Sequence, residues 1–135
     1  MTSQTNMRLA QQFLEKISAG TSAEDMAALC TPELDWNIPG DTGVLPWVGH
    51  QQGRAALADF IRDTHTMITR VALDVHDILA SDGRAVILGH LQSRVNATGK
   101  LIDTAFAIVL TFSDEKIASF LMLEDSHATS MAARP

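Results

Sequence analysis

Three side chains in the second half of the chain have the chemistry of general acids and bases. Asp125 ends the last apolar stretch, and His90 and Asp103 lie within the two apolar stretches before it. A carboxylate that is removed from water has a raised pKa and can abstract a proton, and an imidazole can exchange a proton near neutral pH. We therefore take Asp125 as the candidate catalytic base, with His90 or Asp103 assisting it.

Each of these residues also has a purely structural interpretation. An aspartate at the end of a strand can accept backbone hydrogen bonds, and a histidine among apolar residues can be a satisfied core or interface residue. Glu124 points to the opposite side of its strand from Asp125 and competes for the role of base. His90 and Asp103 form a pair only if the strand register places them side by side, and the sequence does not reveal that register.

Three aromatic residues are candidates for contact with a ring-shaped substrate, because large flat side chains offer apolar area to a ligand. They are Trp36, Trp47 and Phe106. For Trp36, plain core packing is an equal alternative, whereas Trp47 lies in a loop beside a proline and favours ligand contact or lid closure. No metal site is expected, since no two histidines have the spacing of metal ligands, and three of them fit surface or capping positions: His50, His65 and His76.

Composition restricts the class of protein. The 135 residues are 46% hydrophobic and 19% charged, which favours one folded domain over residues 1–135. A net charge of −6 without a basic stripe argues against a nucleic-acid partner, and no apolar run is long enough to span a membrane. The single Cys30 suits a reducing cytoplasm, and neither a phosphate-binding loop nor another cofactor motif is present.

The order of predicted elements favours an α+β fold. Apolar residues recur at helical spacing over residues 6–19, over a short segment capped near Thr21, and from Gly53 to about Met67. A short strand at residues 34–38 and a long loop at 41–52 separate the last two helices. The second half alternates with strand periodicity over residues 71–80, 85–95, 101–112 and 117–125, joined by short turns that make neighbours antiparallel. The tail at residues 127–135 is expected to be frayed.

The last three strands are apolar on both sides, so both faces of the sheet must leave water. The predicted helices can cover only one face. A second copy of the chain is the economical cover for the other, and we predict a homodimer through the open sheet face.

At this point the chain resembles the NTF2-like superfamily, and within it the SnoaL-like branch. The likeness is carried by the order of elements and by four segments: residues 36–40 (WNIPG), 49–57 (GHQQGRAAL) leading into Phe60, 112–117 (FSDEKI) and 123–126 (LEDS). The resemblance implies a cone in which three helices pack on a strongly curved, mostly antiparallel sheet and enclose a deep apolar pocket.

The same resemblance also bears on activity. Cyclases of this family carry an acid/base carboxylate on the last strand, where Asp125 lies here, whereas the tyrosine donor of the steroid isomerases is missing because the chain has no tyrosine. Epoxide hydrolases of this fold use an arginine and two aspartates around a water. Arg94, Asp103 and Asp125 supply those residue types, but the Arg-x-Asp spacing on one strand is replaced by Arg94-Val95-Asn96.

Two functions from different classes follow. The first is a cofactor-independent isomerase, cyclase or lyase that acts on an apolar or ring substrate with Asp125 as the base, and an epoxide hydrolase-like activity is a separate enzymatic alternative. The second is a noncatalytic module that binds a small apolar ligand or dimerises. They differ in whether Asp103, Asp125, Glu124 and His90 project into the cavity.

Overall fold

The structure is a computed structural model that describes residues 2–135. Across these residues the α+β class predicted from the sequence is confirmed, with four helices beside one six-stranded sheet. In chain order the elements are α1 (Ser3–Ser18), α2 (Ala23–Ala27), β1 (Cys30–Ile38), β2 (Gly49–Gln52), α3 (Arg54–Met67), β3 (Ile68–Ala80), β4 (Arg84–Val95), β5 (Leu101–Ser113), β6 (Lys116–Glu124) and α4 (Ser126–Ala133).

Short polar side chains begin the first two helices, although α1 begins earlier than the predicted residue 6 and α2 is capped by Ser22 rather than Thr21. The hydroxyl of Thr2 accepts from the backbone N–H of Thr5, and that of Ser22 accepts from the N–H of Asp25. These bonds satisfy amides that a helix leaves free in its first turn. Gly20 follows α1 with φ of 74°, a conformation that glycine adopts without strain. The helix ends are therefore set by local chemistry.

The sheet has the strand order β2-β1-β6-β5-β4-β3. All neighbouring pairs are antiparallel except β1 and β6, which run parallel. The predicted four-strand meander corresponds to β3–β6. The predicted loop at residues 41–52 ends instead in the short strand β2, where His50 lies opposite Asn37 of β1. Sequence periodicity missed β2 because its four residues are glycine, histidine and glutamines, without an apolar alternation.

The sheet has an inner face, on which the helices pack, and an outer face. On β4 the inner positions include Ile87, Gly89, Leu91 and Ser93, and on β5 they include Phe106 and Ile108. The register pairs Gly89 with Phe106 and Ile87 with Ile108, so inner residues lie beside inner residues. The outer face carries the intervening positions, including Val86, Leu88, His90, Asp103, Ala107 and Val109.

The C-terminal tail is ordered, contrary to the prediction of a frayed end. Residues 126–133 form α4, in which Thr129, Ser130 and Ala132 are buried. Two tertiary bonds hold this helix: Ser130 donates its hydroxyl proton to Asp41 at 2.6 Å, and Thr98 donates to the Ala132 carbonyl at 2.6 Å. The short polar sequence of the tail cannot signal these partners, because they lie 34 and 89 residues away.

No helix within residues 2–135 has both the length and the hydropathy that a membrane span requires.

Candidate functional site

A cavity of about 450 Å³ lies between α1, α3 and the inner face of the sheet. This volume is within the ~300–1,000 Å³ range of small-molecule sites. Most of its lining is apolar and comes from both helices and from four strands. The apolar lining residues are Phe13, Leu14, Ile17, Phe60, Ile61, Ile68, Ala72, Leu73, Leu91, Phe106, Ile108, Phe120 and Met122.

One glycine shapes the floor of this cavity. A Cβ on Gly89 would lie 2.2 Å from the carbonyl oxygen of Asp74 and 2.7 Å from Cζ of Phe106. The Phe106 ring occupies the space that any side chain at position 89 would need. Phe106 was predicted to contact a ligand, and it does line the cavity.

The two tryptophans lie one layer behind the cavity wall. Trp36 stacks on Phe120 with ring centroids 3.9 Å apart, and it also packs against Phe60 at 5.2 Å. Trp47 meets the edge of Phe60 at 6.1 Å. Phe60 and Phe120 line the cavity, whereas neither tryptophan does. The tryptophans therefore support the aromatic wall from behind, which for Trp36 is the core packing weighed as an equal alternative, and a direct contact with a ligand stays a prediction.

The polar residues that line the cavity are not the acid/base candidates chosen from the sequence. His65 near the end of α3, Arg70 on β3 and Ser93 on β4 line it, together with Ser18, Thr21 and Thr64. Arg70 and Ser93 are register partners, so their side chains lie beside each other on the inner face. Within residues 2–135, no acidic side chain lines the cavity. The lining thus offers donors but no carboxylate.

His90 and Asp103 do form a pair, but on the outer face of the sheet. His90 Nε2 contacts Asp103 Oδ1, and Gln92 donates to the other carboxylate oxygen at 3.1 Å. The hydrogen bond from His90, followed by that from Gln92, lowers the pKa of Asp103 below its ordinary value. Both side chains of the pair are more than 40% exposed. The pairing proposed from sequence is present, and the sheet separates it from the cavity.

Asp125 lies at the N-terminus of α4 and caps it. Its side chain accepts from the backbone N–H of Ala128 at 3.0 Å, and its own N–H donates to Thr104 Oγ1 at 2.9 Å. It is exposed and does not line the cavity. This is the structural role weighed against catalysis, and the pattern of Asp125 followed by a helix was hidden by the short polar tail.

Glu124 is the partly buried carboxylate of this region. Desolvation by burial raises its pKa, and the charge of Asp125 raises it further. It lies in a narrow crevice between α4 and the loop before β2, lined also by Gly40, Asp41, Val44, Val48, Ser126, Thr129 and Ser130. This crevice has no room for a ligand, so the raised pKa of Glu124 reflects packing against α4. No cluster of three or more metal-ligating side chains occurs in residues 2–135.

Sequence reasoning missed three residues that define the cavity: His65, Arg70 and Gly89. His65 was expected at the surface and is exposed, but it also borders the cavity. Glycine inside an apolar strand signals a close approach of neighbouring groups, and Gly89 between Leu88 and His90 carries that signal. For Arg70 no sequence signal exists, because its inner position follows from a register shift in β3 between Arg70 and Ala72.

Comparisons with known proteins agree with this architecture. Residues 10–120 match the family described as SnoaL-like domain, which confirms the resemblance noted from the sequence. No curated protein sequence matches the chain significantly.

Solved structures with the same fold cover nearly the whole chain. An NTF2-like protein from Burkholderia xenovorans LB400 shares 22% identity, with 99% of both chains covered and a TM-score of 0.89. An NTF2-like protein of unknown function from Burkholderia pseudomallei K96243 shares 20% identity over 97% of this chain and 98% of its own, with a TM-score of 0.85. TerC, co-crystallised with polyporic acid, shares 17% over 96% and 98%, with a TM-score of 0.80. Identities this low establish the fold alone.

Proposed function

Because the chain belongs to the SnoaL-like domain family, a family that includes polyketide cyclases and isomerases, we propose that it binds a small apolar molecule in the cavity between α1, α3 and the sheet. One observation carries this proposal. The cavity of about 450 Å³ is lined mainly by apolar side chains, and no acidic side chain within residues 2–135 reaches it. Binding of an apolar ligand by such a lining is favourable, because it removes apolar surface of the ligand from water.

Binding is favoured over carboxylate acid/base catalysis on the same ligand. A general base must lie within hydrogen-bond reach of the proton that it abstracts. Asp125 caps α4, and His90 and Asp103 lie on the outer face. A catalytic role for these three residues stays a prediction, and it would require a substrate outside the cavity. The same holds for a hydrolase built on Arg94, whose guanidinium donates to the Gly99 carbonyl at 2.7 Å.

A neutral fluorescent probe tests the proposal directly. N-phenyl-1-naphthylamine brightens when it leaves water, so its emission should rise on binding and saturate with protein concentration. Leu91→Trp places a larger side chain in the cavity and should weaken probe binding at least tenfold. Gln92→Trp adds the same side chain to the next residue of β4, on the outer face, and serves as the matched control.

Two outcomes contradict the proposal. The first is an absence of saturable probe binding by the folded wild-type protein. The second is equal loss of binding in Leu91→Trp and Gln92→Trp, which would place the bound probe elsewhere on the sheet.

We also propose that the outer face is a homodimer interface. Apolar residues on three adjacent strands form one half-exposed patch there: Val86, Leu88, Ala107, Val109, Leu121 and Leu123. Leu123 is 47% exposed, although a leucine of a single-chain protein gains free energy by burial. A two-fold axis would place this patch against its own copy.

A charge at the centre of the patch tests the dimer. Val109 lies between Val86 and Leu121 in the register, so Val109→Asp would bury two carboxylates in the interface. Light scattering should give a dimer mass for the wild type and a monomer mass for Val109→Asp. Ala55→Asp, at an exposed position on α3, should remain dimeric. A monomeric wild type at micromolar concentration would exclude this interface.

A further inference from the structure

We infer that the natural ligand is an amphipathic carboxylic acid whose apolar body fills the cavity and whose carboxylate binds Arg70, with the Ser93 hydroxyl and the His65 imidazole beside it. This inference rests on the proposed function, since it requires a ligand in the cavity. It adds the chemical class of that ligand and the end of the cavity at which its charged group lies.

The placement of the three polar residues supports one binding point. Arg70 and Ser93 are cross-strand partners on β3 and β4, so their side chains are neighbours on the inner face. His65 lies in the last turn of α3, five residues before Arg70 in the chain. All three line the cavity. Donors from one helix and two strands thus line the same largely apolar cavity.

The hydrogen-bonding capacity of these groups is unused by the protein. Within residues 2–135, no hydrogen bond or ion pair joins the side chains of His65, Arg70 or Ser93 to another protein group. Ser93 is only 8% exposed, and a hydroxyl so placed gains from a partner. Some other arginines of the chain, by contrast, have acceptors within the protein. Arg54 donates to the Cys30 carbonyl at 2.7 Å, and Arg134 donates to Asp41 at 2.5 Å.

Charge favours an anion at this point. The chain carries sixteen acidic residues against ten lysines and arginines, yet no carboxylate within residues 2–135 lines the cavity next to Arg70. A guanidinium stays protonated at every physiological pH and presents paired N–H donors that fit the two oxygens of a carboxylate. A carboxylate on the ligand would therefore meet a cation without competition from a protein acid.

The shape of the site sets the rest of the ligand. Beyond the polar end, the walls are aromatic and aliphatic side chains, including Phe60, Phe106 and Phe120. A ring or short hydrocarbon body suits these walls. A ligand charged at both ends would leave one charge against apolar side chains without a partner, which is costly.

A matched pair of probes tests the inference by calorimetry. 1-Naphthaleneacetic acid and 1-naphthaleneacetamide share one ring system and differ in charge at the head group. The acid should bind the wild type at least tenfold more tightly than the amide, because a hydrogen bond to a charged group is stronger than one to a neutral group. Raising the salt concentration should reduce the preference, since Arg70 is exposed.

Variants assign the preference to its residue. Arg70→Gln should lose the tenfold preference for the acid, and Arg70→Lys should retain part of it, since lysine keeps the charge without the paired donors. Arg84→Gln removes an exposed arginine at the start of β4 that does not line the cavity, and its preference should equal that of the wild type. Thermal unfolding of each variant checks that it is folded.

The possible results separate this inference from the proposed function. If the wild type binds the neutral fluorescent probe but binds acid and amide equally, the inference is wrong and the proposed function stands. An unchanged preference in folded Arg70→Gln also overturns it. If neither the neutral probe nor either naphthalene compound binds, both proposals fail.

Discussion

The two faces of the sheet use the same strands for opposite purposes. On the inner face, Arg70 and Ser93 border an apolar cavity and have no partners among residues 2–135. On the outer face, His90 and Asp103 satisfy each other in solvent. A polar side chain that already forms hydrogen bonds with a neighbour has few donors or acceptors left for a ligand. An unpaired donor beside a cavity keeps its full hydrogen-bonding capacity. The pairing state of a side chain therefore says more about binding than its residue type.

The difference arises from strand parity. His90 lies between Gly89 and Leu91, which both belong to the inner face, and a shift of one residue would reverse all three. The acid/base residues chosen from sequence had suitable chemistry, but their side of the sheet could not be read from that chemistry. Four predictions test the packing, burial and pairing of individual residues in the sheet.

The largest expected effect is at Gly89, whose lack of a side chain leaves room for the Phe106 ring and the Asp74 carbonyl group. Gly89→Ala should lower the free energy of unfolding by about 3 kcal/mol, because its Cβ would overlap the Asp74 carbonyl oxygen and the Phe106 ring. Urea unfolding measures the loss. Gly83→Ala, where a Cβ would meet nothing within 4 Å, is the control and should change stability by less than about 1 kcal/mol. Equal effects of the two substitutions would contradict the close fit of the Phe106 ring over β4.

A second effect concerns the buried thiol of Cys30 at the start of β1. Desolvation by burial raises its pKa to about 11, although Arg54 and Lys116 oppose the rise. At pH 8 the thiolate fraction should be about a hundredfold lower than in an ordinary thiol, and solvent access is also blocked. Reaction with Ellman's reagent should be slow in the native protein and fast in urea. Rapid native labelling would show that this end of the sheet opens easily.

Glu124 should have a smaller and pH-dependent effect. Its folded pKa is raised, so the folded state holds the proton more tightly than the unfolded state, and its contribution to stability falls as pH rises above the ordinary glutamate range. Glu124→Gln should therefore be more stable than the wild type at pH 7, with the gain shrinking toward about pH 4. Glu33→Gln, at an exposed position of β1, is the matched control for thermal unfolding at these pH values.

The smallest expected effect is at the outer pair. The pKa of Asp103 is lowered, so its contribution to stability is present above the ordinary aspartate pKa and is lost as pH falls through the lowered value. Because the pair is exposed, that contribution should be near the limit of detection. Carboxyl NMR titration is the sensitive measurement. His90→Gln should shift the Asp103 titration toward its ordinary range, and His50→Gln, which removes the partner of Asp35, should leave it unchanged.

Much of the fold was accessible from local patterns. The capped helices, the four long strands and the two apolar faces follow from short-range periodicity and turn residues, and these are the features that the structure confirms. Strand β2 and helix α4 were missed. Both are held by partners distant in sequence, such as Asn37 opposite His50 and Asp41 bonded to Ser130. Local propensity has no information about such partners.

Some features of the candidate site were likewise readable from the sequence, and others were set by tertiary structure. Residue types and alternation alone determined that the sheet has two apolar faces, that Phe106 lies on a strand able to line a pocket, and that the charge balance is acidic. Tertiary structure decided which face encloses the cavity, that a register shift turns Arg70 toward it, and that Asp125 caps a helix. The physical reason is that periodicity specifies only which residues lie on the same face of the sheet. The packing of α1 and α3 against one face decides which face encloses the cavity.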